Sequence, residues 1–155
     1  MSDQNRHLSK ILFSSEVGRV ETLWVISLGN NLYQLDNSPW FAYGVSWQDV
    51  IEAIATKENE LPVFRRVVKK SGNRTLRLLL DPPAGESEKS QGILNKLIEL
   101  GCSYEGANPK YIAINIPPPI DYWSICDFLT TMNYQWEAAD PTYDELHPSD
   151  DQTVI

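Results

Sequence analysis

Residues 74–138 read RTLRLLLDPPAGESEKSQGILNKLIELGCSYEGANPKYIAINIPPPIDYWSICDFLTTMNYQWEA, and this stretch decides the fold. Thr75 to Leu80 is an apolar run of strand length, stopped by Asp81-Pro82-Pro83-Ala84-Gly85, where the prolines remove ladder donors. Glu86 to Leu100 carries Ile93, Leu94, Leu97 and Leu100 at helical spacing. Gly101 is its stop, because glycine takes the left-handed conformation that closes a helix. Ser103 to Gly106 and Tyr111 to Ile116 read as strands, closed by Pro117-Pro118-Pro119. A second helix from Ile120 or Asp121 to about Met132 carries Trp123, Ile125, Cys126, Phe128 and Leu129, and Asn133 to Ala138 is a last strand. The order β-α-β-β-α-β is that of ferredoxin-like (split β-α-β) folds.

Upstream, residues 11–45 read as β structure. Glu21 to Leu28 and Leu32 to Asp36 flank Gly29-Asn30-Asn31, a hairpin signal because Gly and Asn tolerate positive φ. Asn37-Ser38-Pro39 breaks the chain and Trp40 to Tyr43 starts another strand. Residues 46–58 admit two readings: a helix capped by Ser46 with Asp49 three residues on, or a turn followed by a short strand. Trp47, Val50, Ile51 and Ile54 have helical spacing, whereas Asp49 to Ile54 reads as a short β-branched strand. A strand, or a turn followed by one, is expected. Leu61 to Lys70 and Arg74 to Leu80 form a hairpin around Ser71-Gly72-Asn73. The expectation is an α+β protein with a flexible N-terminus (1–10) and a small β-barrel-like lobe (11–80). A ferredoxin-like half (75–138) shares its core, and an acidic tail (139–155) follows.

At 155 residues such a chain buries roughly 70% of its unfolded surface. With 42% hydrophobic and 22% charged residues it is globular in composition. No window approaches about 20 apolar residues, and Met1 to Lys10 lacks the apolar core of a signal peptide, so a cytoplasmic location is expected.

The net charge of -8 is unevenly spread. Residues 1–80 hold 10 basic and 8 acidic side chains, net +2, whereas residues 81–155 hold 3 and 13, net -10. Beyond Lys110 there is no Lys or Arg against eight carboxylates: Asp121, Asp127, Glu137, Asp140, Asp144, Glu145, Asp150 and Asp151.

Catalytic and metal chemistry finds little support. The histidines, His7 and His147, lie in polar terminal segments, where a general base is poorly held. Cys102 and Cys126 are expected to be buried, reduced thiols; with no Cys or His near either, a zinc site lacks ligands. No phosphate-binding glycine loop occurs, and neither cofactor nor metal is expected. Glu21, Asp36 and Glu105 fall inside apolar stretches and need partners, for which Arg65, Arg74 and Arg77 are available.

Two surfaces stand out. Arg65, Arg66, Lys69, Lys70, Arg74 and Arg77 lie between Glu60 and Asp81 with no acid among them, and on a two-stranded ribbon several would project together toward a nucleic acid. Tyr122, Trp123, Tyr134, Trp136 and Tyr143 lie among the unopposed carboxylates, a combination suited to capturing a basic protein.

The chain also resembles a bacterial family, domain of unknown function 4265. The likeness is carried by Glu21-Thr-Leu-Trp24, Gly29-Asn-Asn-Leu-Tyr33-Gln-Leu-Asp36-Asn37-Ser-Pro39-Trp-Phe41-Ala42-Tyr-Gly44, Phe64-Arg65-Arg-Val67-Val68, Ser71-Gly72-Asn73-Arg74-Thr75-Leu-Arg77, Gly101-Cys102-Ser-Tyr104-Glu105 and Ile116-Pro117-Pro118. It spans about residues 11–137 and implies one co-folded unit, without an activity or catalytic residues.

The leading expectation is therefore a non-enzymatic cytoplasmic binding protein, an immunity protein that occludes a basic bacterial toxin through Tyr122, Trp136, Glu137, Asp140, Tyr143, Asp144 and Glu145. The alternative is a nucleic-acid-binding or regulatory module using the basic hairpin at 65–77.

Overall fold

The computed structural model describes residues 8–14, 20–57 and 60–148. Among them, nine strands and three short helices form an α+β structure. The first five strands are β1 (Leu8–Ser14), β2 (Val20–Gly29), β3 (Leu32–Leu35), β4 (Val50–Ile54) and β5 (Val63–Lys69). They pair antiparallel in chain order, and a parallel bridge from Leu12 to Val63 closes the sheet into a barrel. Strand alternation supplies the interior: Glu21, Leu23 and Val25 of β2 point in while Val20, Thr22 and Trp24 point out. Ile11, Phe13, Leu23, Val25, Leu35, Val45, Ile51 and Ala53 form this core. Asn30 and Asn31, both at positive φ, make the β2–β3 turn.

The remaining strands, β6 (Arg74–Leu79), β7 (Ser103–Gly106), β8 (Tyr111–Ile116) and β9 (Gln135–Asp140), form a second, antiparallel sheet in the order β7-β8-β6-β9. Helices α1 (Glu88–Glu99) and α2 (Tyr122–Thr131) pack with it, burying Ile93, Leu94, Leu97, Ile125 and Leu129 against Leu76, Leu78, Ile112, Ile114 and Ile116. Ser87 caps α1 and Asp121 caps α2, each accepting a backbone N–H three residues on. Gly101 follows α1 at φ +101°, and a Cβ there would meet Ile120 Cδ1 at 2.7 Å. Both helices thus stand close to where periodicity and capping place them.

Several expectations are corrected. Residues 61–80 form no hairpin: β5 pairs with β4 and β1, whereas β6 pairs with β8 and β9. Ser71-Gly72-Asn73 is a corner between the sheets. The Ser71 N–H donates to Asp49 Oδ1, and the Ser71 hydroxyl and Asn73 amide both donate to the Trp47 carbonyl. Trp40 to Tyr43 belong to a loop, and residues 50–54 are the strand β4. Leu8 to Lys10 lie in β1 and are not a flexible end, while residues 1–7, with His7, fall outside the described residues. The chain after Ala138 is no solvated tail at first, since β9 continues to Asp140 and a one-turn helix α3 (Tyr143–Leu146) follows. Asp150 and Asp151 lie outside the described residues. Among the described residues no helix is long and apolar enough to cross a membrane.

Candidate functional site

The loop joining β3 to β4 covers the sheet face that α1 and α2 leave open, and carboxylates hold it there. Glu21 Oε2 accepts the Trp40 N–H at 2.5 Å, and Oε1 accepts those of Phe41 (3.1 Å) and Ala42 (3.0 Å). Glu105 Oε2 accepts the Ser38 N–H at 2.7 Å. Burial pushes the Glu105 carboxyl up, the Ser38 hydrogen bond opposes that, and the Asp36 charge adds to it. The buried acids therefore find backbone N–H groups here, not the arginines expected. Asp36 itself is exposed.

Arg77 serves the same loop from the sheet. It is 2% exposed and donates to the Phe41 and Ala42 carbonyls. Its guanidinium lies over the Tyr43 ring and 3.7 Å from Glu137. Lys70 Nζ donates to Asp49, to Asp140 and to the Gly44 carbonyl. Arg74 donates to the Ile120 carbonyl at 2.6 Å and faces the Tyr122 ring. Three of the six residues proposed for a basic ribbon are thus engaged by the fold, and only Arg65, Arg66 and Lys69 project from β5. Arg66 lies 3.3 Å from Glu52.

The acidic, aromatic surface is also redrawn. Asp140 is buried against Lys70, and Ser46 donates to it at 2.6 Å. Tyr122 is a core residue, 4% exposed, its hydroxyl raised in pKa by burial. Glu145 closes the capping box of α3 with Thr142. Tyr122 and Asp140 leave the proposed contact set because their side chains are inside, and Glu145 has a structural task on the surface.

The others converge. A groove of about 620 Å³ is lined by Tyr43, Trp123, Trp136, Glu137, Ala138, Thr142, Tyr143, Asp144, Leu146 and His147. It gathers Trp136, Glu137, Tyr143 and Asp144 from the expected set. Tyr43 donates to both oxygens of Glu137 at 3.0 Å, and Trp136 Nε1 donates to Thr130 at 3.0 Å. Trp123 is 54% exposed on α2, and the Tyr143 ring stacks on His147 at 4.1 Å. Its lining contains two carboxylates and neither Lys nor Arg.

Tyr43 was hidden from sequence reasoning because its loop is placed by contacts with Glu21 and Arg77, distant in the chain. His147, expected in a loose end, follows α3, and its Nδ1 lies 3.0 Å from the Tyr143 carbonyl. The Thr142 hydroxyl donates to Glu145 Oε1 at 3.0 Å and accepts the Glu145 N–H, so both of its hydrogen bonds belong to the cap of α3. Cys102 and Cys126 are buried and free, and burial pushes the Cys102 thiol up to about 11, opposite to activation. Among the described residues no three His, Cys, Asp or Glu side chains gather as a metal site.

The fold and groove describe a small α+β protein of unknown activity. The chain belongs to the family Domain of unknown function (DUF4265), matched over residues 21–139. No curated protein matches it. Among solved structures it is similar to a hypothetical protein from Neisseria gonorrhoeae, at 12% identity and a TM-score of 0.65, over 92% of this chain and 99% of that one. At that identity the likeness concerns the fold alone.

Proposed function

We propose that this is a non-enzymatic binding protein of the cytoplasm that captures a basic protein through the groove beside β9, with neutralisation of a bacterial toxin by occlusion as its use. The observation that carries this reading is the lining: Trp123, Trp136, Tyr43 and Tyr143 surround Glu137 and Asp144, with no Lys or Arg among them. Exposed aromatics supply contact area and cation–π faces, while the carboxylates steer a basic partner toward them. The net charge of -10 over residues 81–155 strengthens that steering at low salt.

The test is affinity capture from the native cell, with the product of the neighbouring gene examined first by co-expression. The wild-type chain is expected to relieve toxicity of that product and to bind it directly. Glu137→Lys with Asp144→Lys is expected to weaken binding by about tenfold or more at low salt. Unchanged affinity in the double reversal would sink the surface assignment.

A second reading uses Arg65, Arg66 and Lys69, which remain exposed on β5. Three cations give a shallow salt dependence for nucleic acid, and a titration in salt would detect it. For the architecture, we read the antiparallel order β7-β8-β6-β9, with α1 after β6 and α2 after β8, as the ferredoxin-like arrangement.

A further inference from the structure

An open sheet edge is a row of unpaired N–H and C=O groups, and the described residues present two. The barrel closes on itself, so among the described residues the open edges are the outer sides of β7 and β9. The loop before β4 covers β7, where Trp40 Nε1 donates to the Glu105 carbonyl at 3.2 Å and Ser38 holds the Glu105 side chain. At the far end of β9 the Gly44 N–H caps the Ala139 carbonyl. From Gln135 to Ala138, no strand pairs with the outer side of β9 among the described residues.

The groove lies along that open edge. Successive strand residues point to opposite faces, yet Trp136, Glu137 and Ala138 all line it. A cavity touched by three consecutive strand residues runs past the edge and reaches both faces. On the helical face it meets Trp136 and Ala138, which pack on the core, and Trp123 of α2. On the other face it meets Glu137 and Tyr43. Tyr143 and Asp144 of α3 form its outer wall.

Resting on the binding role proposed above, we infer that the groove takes an extended segment of the partner, which adds to the sheet as a strand beside β9. Backbone hydrogen bonds to Gln135–Ala138 supply register. The alternating faces dictate its side chains: apolar residues toward Trp123 and Trp136, and arginine or lysine toward Glu137, where the incoming cation shares the carboxylate with Arg77, 3.7 Å away. This is strand addition with side-chain pockets on alternate positions. The groove volume of about 620 Å³ lies within the roughly 300–1,000 Å³ of ligand clefts.

The probe is the peptide acetyl-Val-Arg-Val-Arg-Val-amide, titrated to about 1 mM into the ¹⁵N-labelled full chain, where even weak pairing is measurable. Three companions are used: one N-methylated on the valines, one N-methylated on the arginines, and one with glutamates for the arginines. The parent is expected to shift the amides of Gln135–Ala138 and to perturb tryptophan fluorescence. The two N-methylated peptides are expected to differ, one binding about tenfold more weakly because its strand-facing donors are blocked. The glutamate peptide is expected not to bind. If both N-methylated peptides bind like the parent, strand addition is wrong while the acidic groove still recognises basic groups. Shifts that map elsewhere, or no shift at all, also overturn the inference. The cell-capture experiment then decides the binding role by itself.

Discussion

Ser46 Oγ lies 2.6 Å from Asp140 Oδ2, joining the loop before β4 to the last residue of β9 across 94 positions of chain. The two sheets meet here. Ser46 also contacts the Thr75 hydroxyl at 2.6 Å, Asp49 accepts the Ser46 and Ser71 N–H groups, and Lys70 bridges Asp49 and Asp140. Two buried carboxylates share one cation whose side chain is partly exposed.

Lys70 therefore holds the two sheets together. Lys70→Met leaves Asp49 and Asp140 inside without a counter-charge, and a loss of about 3 kcal/mol is expected in chemical denaturation. Burial pulls the Lys70 pKa down, but hydrogen bonds and charge from Asp140 and Asp49 outweigh it, so the net shift is upward from 10.5. A group held more tightly protonated in the folded state contributes fully below its unfolded value. The wild-type advantage over Lys70→Met is thus expected to persist at neutral pH and to shrink as pH rises past about 10.5. An advantage that fades instead between pH 5 and 8 would contradict this assignment.

Glu21 holds the loop that carries Tyr43. Glu21→Ala leaves the N–H groups of Trp40, Phe41 and Ala42 without their acceptor, for an expected loss of about 3 kcal/mol. Glu21→Gln keeps an oxygen and is expected to lose less. Hydrogen exchange at residues 40–42 should accelerate in both, and unchanged exchange would show that the loop is held by other means.

Glu105 has the opposite electrostatics. Its pKa is raised chiefly by burial, so its charge weakens the fold at neutral pH, and stability rises as pH falls through the window above 4.5. Glu105→Gln keeps an acceptor for the Ser38 N–H. It is expected to be more stable than the wild type at pH 7 and to lose that advantage below about pH 4.5. Loss of stability at pH 7 would mean that the Ser38 hydrogen bond needs the full charge.

The thiols report on packing. Burial raises the pKa of both Cys102 and Cys126, and both are enclosed in the helix-side core. A disulfide reagent at pH 8 is expected to find no reactive thiol in the folded chain and two after denaturation. One thiol titrating in the folded state would place that cysteine at the surface.

What the chain discloses by itself follows the range of each interaction. Ile93, Leu94 and Leu97 with Gly101 betray α1 because helix periodicity and its stop are local. Strand pairing is not local. The six cations from Arg65 to Arg77 look like one ribbon until the Gly72 corner assigns β5 and β6 to different sheets. Asp140 reads as one of many tail acids, yet it is the buried last residue of β9, and only its contacts with Ser46 and Lys70 reveal this. The groove was half legible: Trp136, Glu137, Tyr143 and Asp144 follow from the stretch after Lys110 that lacks Lys and Arg, whereas Tyr43 and the Arg77 that pairs with Glu137 come from elsewhere in the chain.

Trp123 and Trp136 separate folding from recognition. Both line the groove, but Trp136 packs on the core and donates to Thr130, whereas Trp123 is half exposed and touches the Tyr122 ring edge-on. Trp136→Ala is expected to lose about 2–3 kcal/mol of stability, below the full range for a buried aromatic because the ring is only partly covered. Trp123→Ala should lose no more than about 1 kcal/mol, the value of one aromatic edge contact. If the groove is where a basic partner docks, Trp123→Ala weakens that complex by about tenfold with the melting curve nearly unchanged. A chain that binds its partner normally after loss of the Trp123 ring does not use this groove, whatever the fate of Trp136→Ala.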